Sequence, residues 1–213
     1  VADIFEEVDE ELKEENFKKL WDRFGRYIVA AVVLIVAGTA ANVGWRSYSL
    51  DRQQGFSERL YAAVELAEKG KKTDATAAFA VLAEDADTEF AMLARFREAA
   101  LRRSEGDTAA AIDIYDAMAA DDAMDALYRN LATLLSVMTQ ADIGDAAELS
   151  ARLSPLAETG PWRHTAGEYL GLFALQQGDT ATARQKFQKI ADDLEAPQGA
   201  RARASELLLT LGK

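Results

Sequence analysis

Cysteine is absent from this chain. That excludes disulfides, thiolate metal sites, thiol nucleophiles and a lipid-modified N-terminal cysteine. Histidine occurs once, as His164. With no cysteine and no second histidine beside it, a metal site there is not expected, and it reads as a satisfied or surface residue. No glycine-rich phosphate loop is present. Basic charge is outnumbered: 24 Lys and Arg against 36 Asp and Glu leave a net charge of −12, and no basic stripe of the kind that binds nucleic acid can be traced. Carboxylates are plentiful, but none forms a spacing that stands out from a solvated face. No catalytic residue, metal or cofactor is therefore expected. Only three prolines occur, alanine dominates, and β-branched residues cluster in one segment. That composition favours an all-α chain.

Nearly half of the residues are apolar, enough for one or two sizeable cores. Residues 1–51 carry six basic against ten acidic residues, and residues 52–213 carry 18 against 26. Such a balance speaks to solubility rather than to fold.

Tyr27–Trp45 reads YIVAAVVLIVAGTAANVGW, 19 residues without a charge. As a helix it spans roughly 28 Å, close to the hydrocarbon thickness of a bilayer. Tyr27 and Trp45 bracket it as interfacial aromatics do. A cleavable signal peptide is the rival, and Thr39-Ala40-Ala41 could serve as its cleavage site. The preceding 26 residues are too long and too acidic for a signal n-region. The segment reads as a retained signal anchor. Lys13, Lys18, Lys19, Arg23 and Arg26 precede it. Arg46, Arg52 and Arg59 follow over a longer distance. This bias places the N-terminus in the cytoplasm and residues 46–213 across the membrane. Ala37, Ala41 and Gly44 would permit close helix contact, compatible with a homo-oligomer.

Residues 1–26 form an acidic arm. Ile4, Phe5, Val8, Leu12, Phe17, Leu20, Trp21 and Phe24 recur at helical spacing. Glu6, Glu7, Asp9, Glu10, Glu11, Glu14 and Glu15 fill the other face, which anionic headgroups repel. Docking on a partner and a frayed, solvated arm are both open.

The strongest pattern is a repeat. GKKTDATAAFAVLAED begins at Gly70, GDTAAAIDIYDAMAAD at Gly106 and GDTATARQKFQKIADD at Gly178. Each has alanine at +5 (Ala75, Ala111, Ala183) and an aromatic at +9 (Phe79, Tyr115, Phe187). Leu82, Met118 and Ile190 follow at +12, then alanine at +13 and aspartate at +15. Offsets 5, 9 and 12 share one helix face. Glycine suits the left-handed end of the preceding helix, and Asp or Thr can cap the next. A degraded unit begins at Gly144, with Leu149, Leu153 and Leu156. The spacings of 36, 38 and 34 match the tetratricopeptide signature of helix–turn–helix units. In the fourth unit Leu170-Gly171 and Ala174 add a first-helix cue that the others match poorly. Side chains that differ between units two and four, such as Asp116 against Gln188, are expected to point mostly outward.

First helices are expected at about 54–69, 88–104, 123–140 and 161–177. Second helices are expected at about 73–85, 108–120, 145–157 and 180–194. Pro161 and Pro197 suit first turns, Asp121, Asp122 and Asp125 suit a capping turn, and residues 197–211 suit the terminal cap that stacked repeats require. The fold class is an all-α tetratricopeptide-like solenoid of about four helix pairs plus this cap. Its first-helix face would hold a peptide or helix through Phe96, Leu131, Leu134, Glu168, Leu172 and Leu175. Arg95, Arg102 and Arg103 could meet carboxylates, though solvation is the default.

The order of parts narrows the reading further. An acidic arm, one anchor and four degenerate repeat units resemble the YfgM family of ancillary subunits of the bacterial Sec translocon. DIFEEVDEEL (3–12), KLWDRFGRY (19–27) and ARARASELLLTLG (200–212) look like its α-proteobacterial branch. The resemblance implies a cytoplasmic arm (1–26), an inner-membrane anchor (27–45) and a periplasmic repeat domain (46–213). It implies SecYEG and a periplasmic chaperone, such as the prolyl isomerase PpiD, as partners, and no catalytic residues. The rival is an envelope-assembly or division scaffold resembling CpoB, which would be soluble after signal cleavage.

Overall fold

The structure is a computed structural model that describes residues 2–86 and 88–212, with side chains for residues 18, 21–86 and 89–212. The described residues are all-α. The first helix, α1 (Ala2–Glu68), is followed by α2 (Lys72–Asp85), α3 (Thr88–Ser104) and α4 (Thr108–Ala119). Then come α5 (Ala126–Gln140), α6 (Ala146–Leu153), a 3₁₀ turn (Ser154–Ala157), α7 (Arg163–Gln176), α8 (Thr180–Asp192) and α9 (Gln198–Thr210). Two compact units divide between Gly55 and Phe56.

In the first unit the backbone is helical from Ala2. The apolar face expected from Ile4 to Leu20 falls on side chains outside the described residues. From Tyr27 to Trp45 every residue is exposed. The stretch is long and apolar enough to cross a membrane. Its hydroxyl at Thr39 donates back to the Ile35 carbonyl at 2.7 Å, which is how a helix satisfies a hydroxyl without water.

The second unit is built of helix hairpins: the end of α1 with α2, α3 with α4, α5 with α6, and α7 with α8. Each hairpin closes on the residues that repeat in the sequence. Ala75, Ala111 and Ala183 are fully buried, as are Phe79, Tyr115 and Phe187 to within 2%. Burying one such ring is worth roughly 2–3 kcal/mol. The ring needs a small residue opposite. Seven residues before each repeat glycine stand Ala63, Ala99, Val137 and Gly171, all buried. At Gly171 the approach is closest, since an added Cβ would lie 2.5 Å from the Phe187 ring. The degenerate third unit trades volumes: Val137 replaces the small residue, and Leu149 and Leu153 replace alanine and the aromatic in one cluster.

Three of the four repeat glycines have positive φ: Gly70 (75°), Gly106 (88°) and Gly178 (78°). In each, the N–H of the following residue reaches back five residues to the carbonyl of Leu66, Arg102 or Ala174, at 2.8–2.9 Å. This is the Schellman arrangement that satisfies the last carbonyls of a helix. Asp107, Asp145 and Asp179 then cap the next helices. Gly144 departs from the expectation, for it is not left-handed. It is glycine for space: a Cβ would meet Leu149 Cδ1 at 2.9 Å and the Gln140 carbonyl at 3.1 Å.

Other boundaries moved for local reasons. The second helix of unit three stops at Leu153, because Pro155 has no N–H to offer the Ala151 carbonyl. Asp125 caps α5 through the Leu127 N–H at 2.7 Å, so that helix starts at Ala126 instead of 123. Pro161 and Pro197 lie just before α7 and α9 rather than inside them.

Candidate protein-interaction surface

The first helices α3, α5 and α7 position the residues expected to face a partner. Phe96 is half-buried, touching Tyr115 ring to ring at 6.3 Å. Leu131 is half-buried on α5. Leu134 is only 3% exposed, within the α5–α6–α7 cluster. Leu172 and Leu175 are half-buried against the α8–α9 cluster. Glu168 is buried and holds Arg203 of α9 through two hydrogen bonds of 2.8 Å. The chain thus leaves surface for a partner mainly at Phe96, Leu131, Leu172 and Leu175. Leu134 and Glu168 already have intramolecular roles.

Charged residues lock the hairpins. The aspartate at +15 of the repeat meets a cation from its own first helix. Asp85 pairs with Arg59 at 3.0 Å, Asp121 with Arg95 at 3.9 Å, and Asp193 with Arg163 at 3.7 Å. Asp193 also faces His164 Nε2 at 2.7 Å. A carboxylate can only accept, so the imidazole donates there. This hydrogen bond, with one from the Glu195 N–H, holds the Asp193 carboxyl below its ordinary value. His164 is therefore a satisfied, buried residue. Arg102 is taken by Glu98 at 2.7 Å and Asp107 at 3.4 Å. Asp116 does not simply face solvent: it accepts from Arg152 and from the fully buried Ser136, tying unit two to unit three.

One feature escaped the repeat pattern. A groove of about 620 Å³ opens between the end of α2, the first half of α3 and the α4–α5 turn. Of its residues only Ala83 and Asp121 stand at the repeat offsets +13 and +15; Met92, Met124 and Tyr128 stand at none of them. The only sequence sign of it is the acidic character of the two turns that flank it, around Asp85 and Asp121–Asp125.

Among the described residues no group of three or more His, Cys, Asp or Glu is arranged to hold a metal ion. What this surface offers is shape, apolar contact and charge. Helix hairpins stacked in this way, with buried repeat positions and half-exposed first helices, define a helical-repeat interaction module. A family model described as a tetratricopeptide repeat-like domain matches residues 18–208. The chain belongs to that family. No curated protein matches it.

Proposed function

We propose that this chain is a membrane-anchored scaffold for protein–protein interaction, with residues 27–45 as a retained span in a bacterial inner membrane. The N-terminal arm (1–26) is then cytoplasmic and the repeat domain (46–213) periplasmic. The observation that carries this reading is the chemistry at the two ends of the exposed apolar stretch. At one end Arg26 Nη2 donates to the Tyr27 hydroxyl at 3.0 Å, and its guanidinium lies 4.8 Å from that ring. Arg23 lies 5.7 Å over Phe24. At the other end Trp45 and Tyr48 pack at 6.3 Å, with Arg46 beside them. Aromatic rings and snorkelling arginines at both ends are what a bilayer interface selects. The greater density of Lys and Arg before the span supports the orientation.

Following the resemblance to the YfgM family, the partners are the SecYEG translocon, a periplasmic chaperone such as PpiD, and emerging chains. Tetratricopeptide-like repeats are interaction modules, which supports a binding role over a catalytic one. Residues Phe96, Leu131, Leu134, Glu168, Leu172 and Leu175 mark the proposed binding face, with the half-exposed members making contact and the buried ones shaping it. The test is photo-crosslinking in intact cells from probes at Leu34, Phe96 and Leu131. Translocon subunits captured at Leu34, with a chaperone or nascent chain at Phe96 or Leu131, are expected. Capture of envelope-assembly proteins alone would overturn the translocon assignment in favour of the CpoB-like role.

A further inference from the structure

The groove beside α3 has a chemistry distinct from the first-helix face. Met92, Met124 and Tyr128 line it together with small alanines. Two of the four methionines in the chain are thus placed here. Methionine is unbranched and adapts to side chains of varied shape. The volume, about 620 Å³, is that of a site for several side chains rather than for an ion.

The charged lining is one-sided. Glu84, Glu89, Asp121 and Asp125 face a single guanidinium, that of Arg95. Asp125 spends one oxygen on the α5 cap, and Asp121 Oδ1 accepts from the Ala123 N–H at 3.0 Å. Glu84 and Glu89 hold no hydrogen bond or ion pair among the described residues. The Arg95–Asp121 latch is also the slackest of its kind. Its 3.9 Å lies beyond hydrogen-bond reach, whereas the equivalent Arg59–Asp85 pair closes to 3.0 Å. An incoming cation can therefore take Asp121 Oδ2 without breaking a short bond.

We infer that this groove binds a polypeptide segment in which an aliphatic or aromatic side chain is flanked by Lys or Arg. The apolar residue enters between Met92, Met124 and Tyr128. The flanking cations meet Glu84, Glu89 and Asp121. Arg95 is left to donate to a backbone carbonyl of the segment. Four carboxylates within a cleft focus their field on a cation at short range, and salt screens it. The inference rests on the scaffold reading and gives it a partner chemistry, at a groove lined by neither Phe96 nor Leu131, although Phe96 packs on the same cluster as Met92 and Met124.

The test uses the full chain in nanodiscs of zwitterionic phosphatidylcholine, so that lipid does not compete for basic peptides. Two fluorescein-labelled peptides of ten residues are titrated by anisotropy, one of Lys, Leu and Ser, the other with Glu for Lys. The basic peptide is expected to bind at least about tenfold more tightly and to weaken with added salt. E84Q/E89Q is expected to weaken it about tenfold, and Tyr128→Ala to weaken both peptides. The control pair E148Q/E206Q, on exposed carboxylates elsewhere, is expected to change nothing. Equal binding of the two peptides, or equal loss in both variant pairs, would overturn the inference. If the basic peptide fails while crosslinks from Phe96 and Leu131 still capture a partner, the groove assignment falls and the scaffold reading stands. If the crosslinks fail as well, both fall.

Discussion

Arg203 reaches from α9 to α7 and grips both carboxylate oxygens of Glu168, each at 2.8 Å. Glu168 is buried, whereas the Arg203 side chain is more than half exposed. The pair ties the terminal helix to the last repeat. Truncation by Arg203→Ala leaves a buried carboxylate short of two donors. Screening of the exposed partner limits the loss to about 1–2 kcal/mol, read as a lower urea midpoint for unfolding of the repeat unit. Glu168→Gln added to Arg203→Ala is expected to recover part of that loss, since the stranded charge is then gone.

Gly171→Ala sets two effects against each other. Alanine in a helix is favoured over glycine by at most about 1 kcal/mol. The new methyl would sit 2.5 Å from the Phe187 ring, and overpacking of that kind costs about 1–3 kcal/mol. Packing is expected to win, with a net loss near 1 kcal/mol in urea unfolding. Phe187→Leu in the same chain should return part of it. A stabilised Gly171→Ala protein would contradict the close α7–α8 contact.

The repeat glycines separate by the reason for being glycine. Gly178 has φ of 78° and open space where a Cβ would lie. There Gly178→Ala costs about 1–2 kcal/mol of left-handed strain, and Gly178→Asn is milder because asparagine tolerates that conformation. Gly144 has ordinary φ but a crowded Cβ position. There the order reverses, and Gly144→Asn is worse than Gly144→Ala. Thermal melts of the four variants read the order directly.

Acid should loosen the fourth hairpin first. The Asp193 carboxyl is held below its ordinary value of 3.8, chiefly by the His164 hydrogen bond. A group depressed in the folded state contributes stability above its unfolded value, and that stability is lost as pH falls through the folded value. Asp179 behaves likewise, held down by the Thr182 hydroxyl and N–H. His164→Phe is expected to raise the Asp193 titration midpoint, measured by NMR of the carboxyl carbon, and to bring acid unfolding of α7–α8 to higher pH. An unchanged midpoint would contradict the contact.

Much of this architecture was legible before any coordinates, and for one reason. Residues such as Ala111, Tyr115 and Met118 do the same packing work in successive units, so the core announces itself as a period. Helix α3 lies at Thr88–Ser104, where the period put it. The repeat also concealed things. Ala63, Ala99, Val137 and Gly171 share a role but not an identity, and in an alanine-rich chain alanine carries little signal. Gly144 matched the period for a different physical cause. Glu168 was expected to face a partner, and its own chain covers it, because α9 brings Arg203 back over 35 residues. The groove at Met92 and Met124 arises where two turns meet, and no single segment encodes it.

In the proposed topology one chain carries a retained membrane span with the arm and the repeats on opposite sides. Because the chain has no cysteine, single-cysteine variants report position without background. Lys18→Cys lies before the span, and Leu194→Cys lies on a well-exposed site of the repeat unit. With a membrane-impermeant maleimide on intact spheroplasts, Leu194→Cys should label at once and Lys18→Cys only after permeabilisation. Both should run at the full-length mass. Labelling of Lys18→Cys in intact spheroplasts with Leu194→Cys protected, or a labelled product lacking the first 40 or so residues, would contradict it.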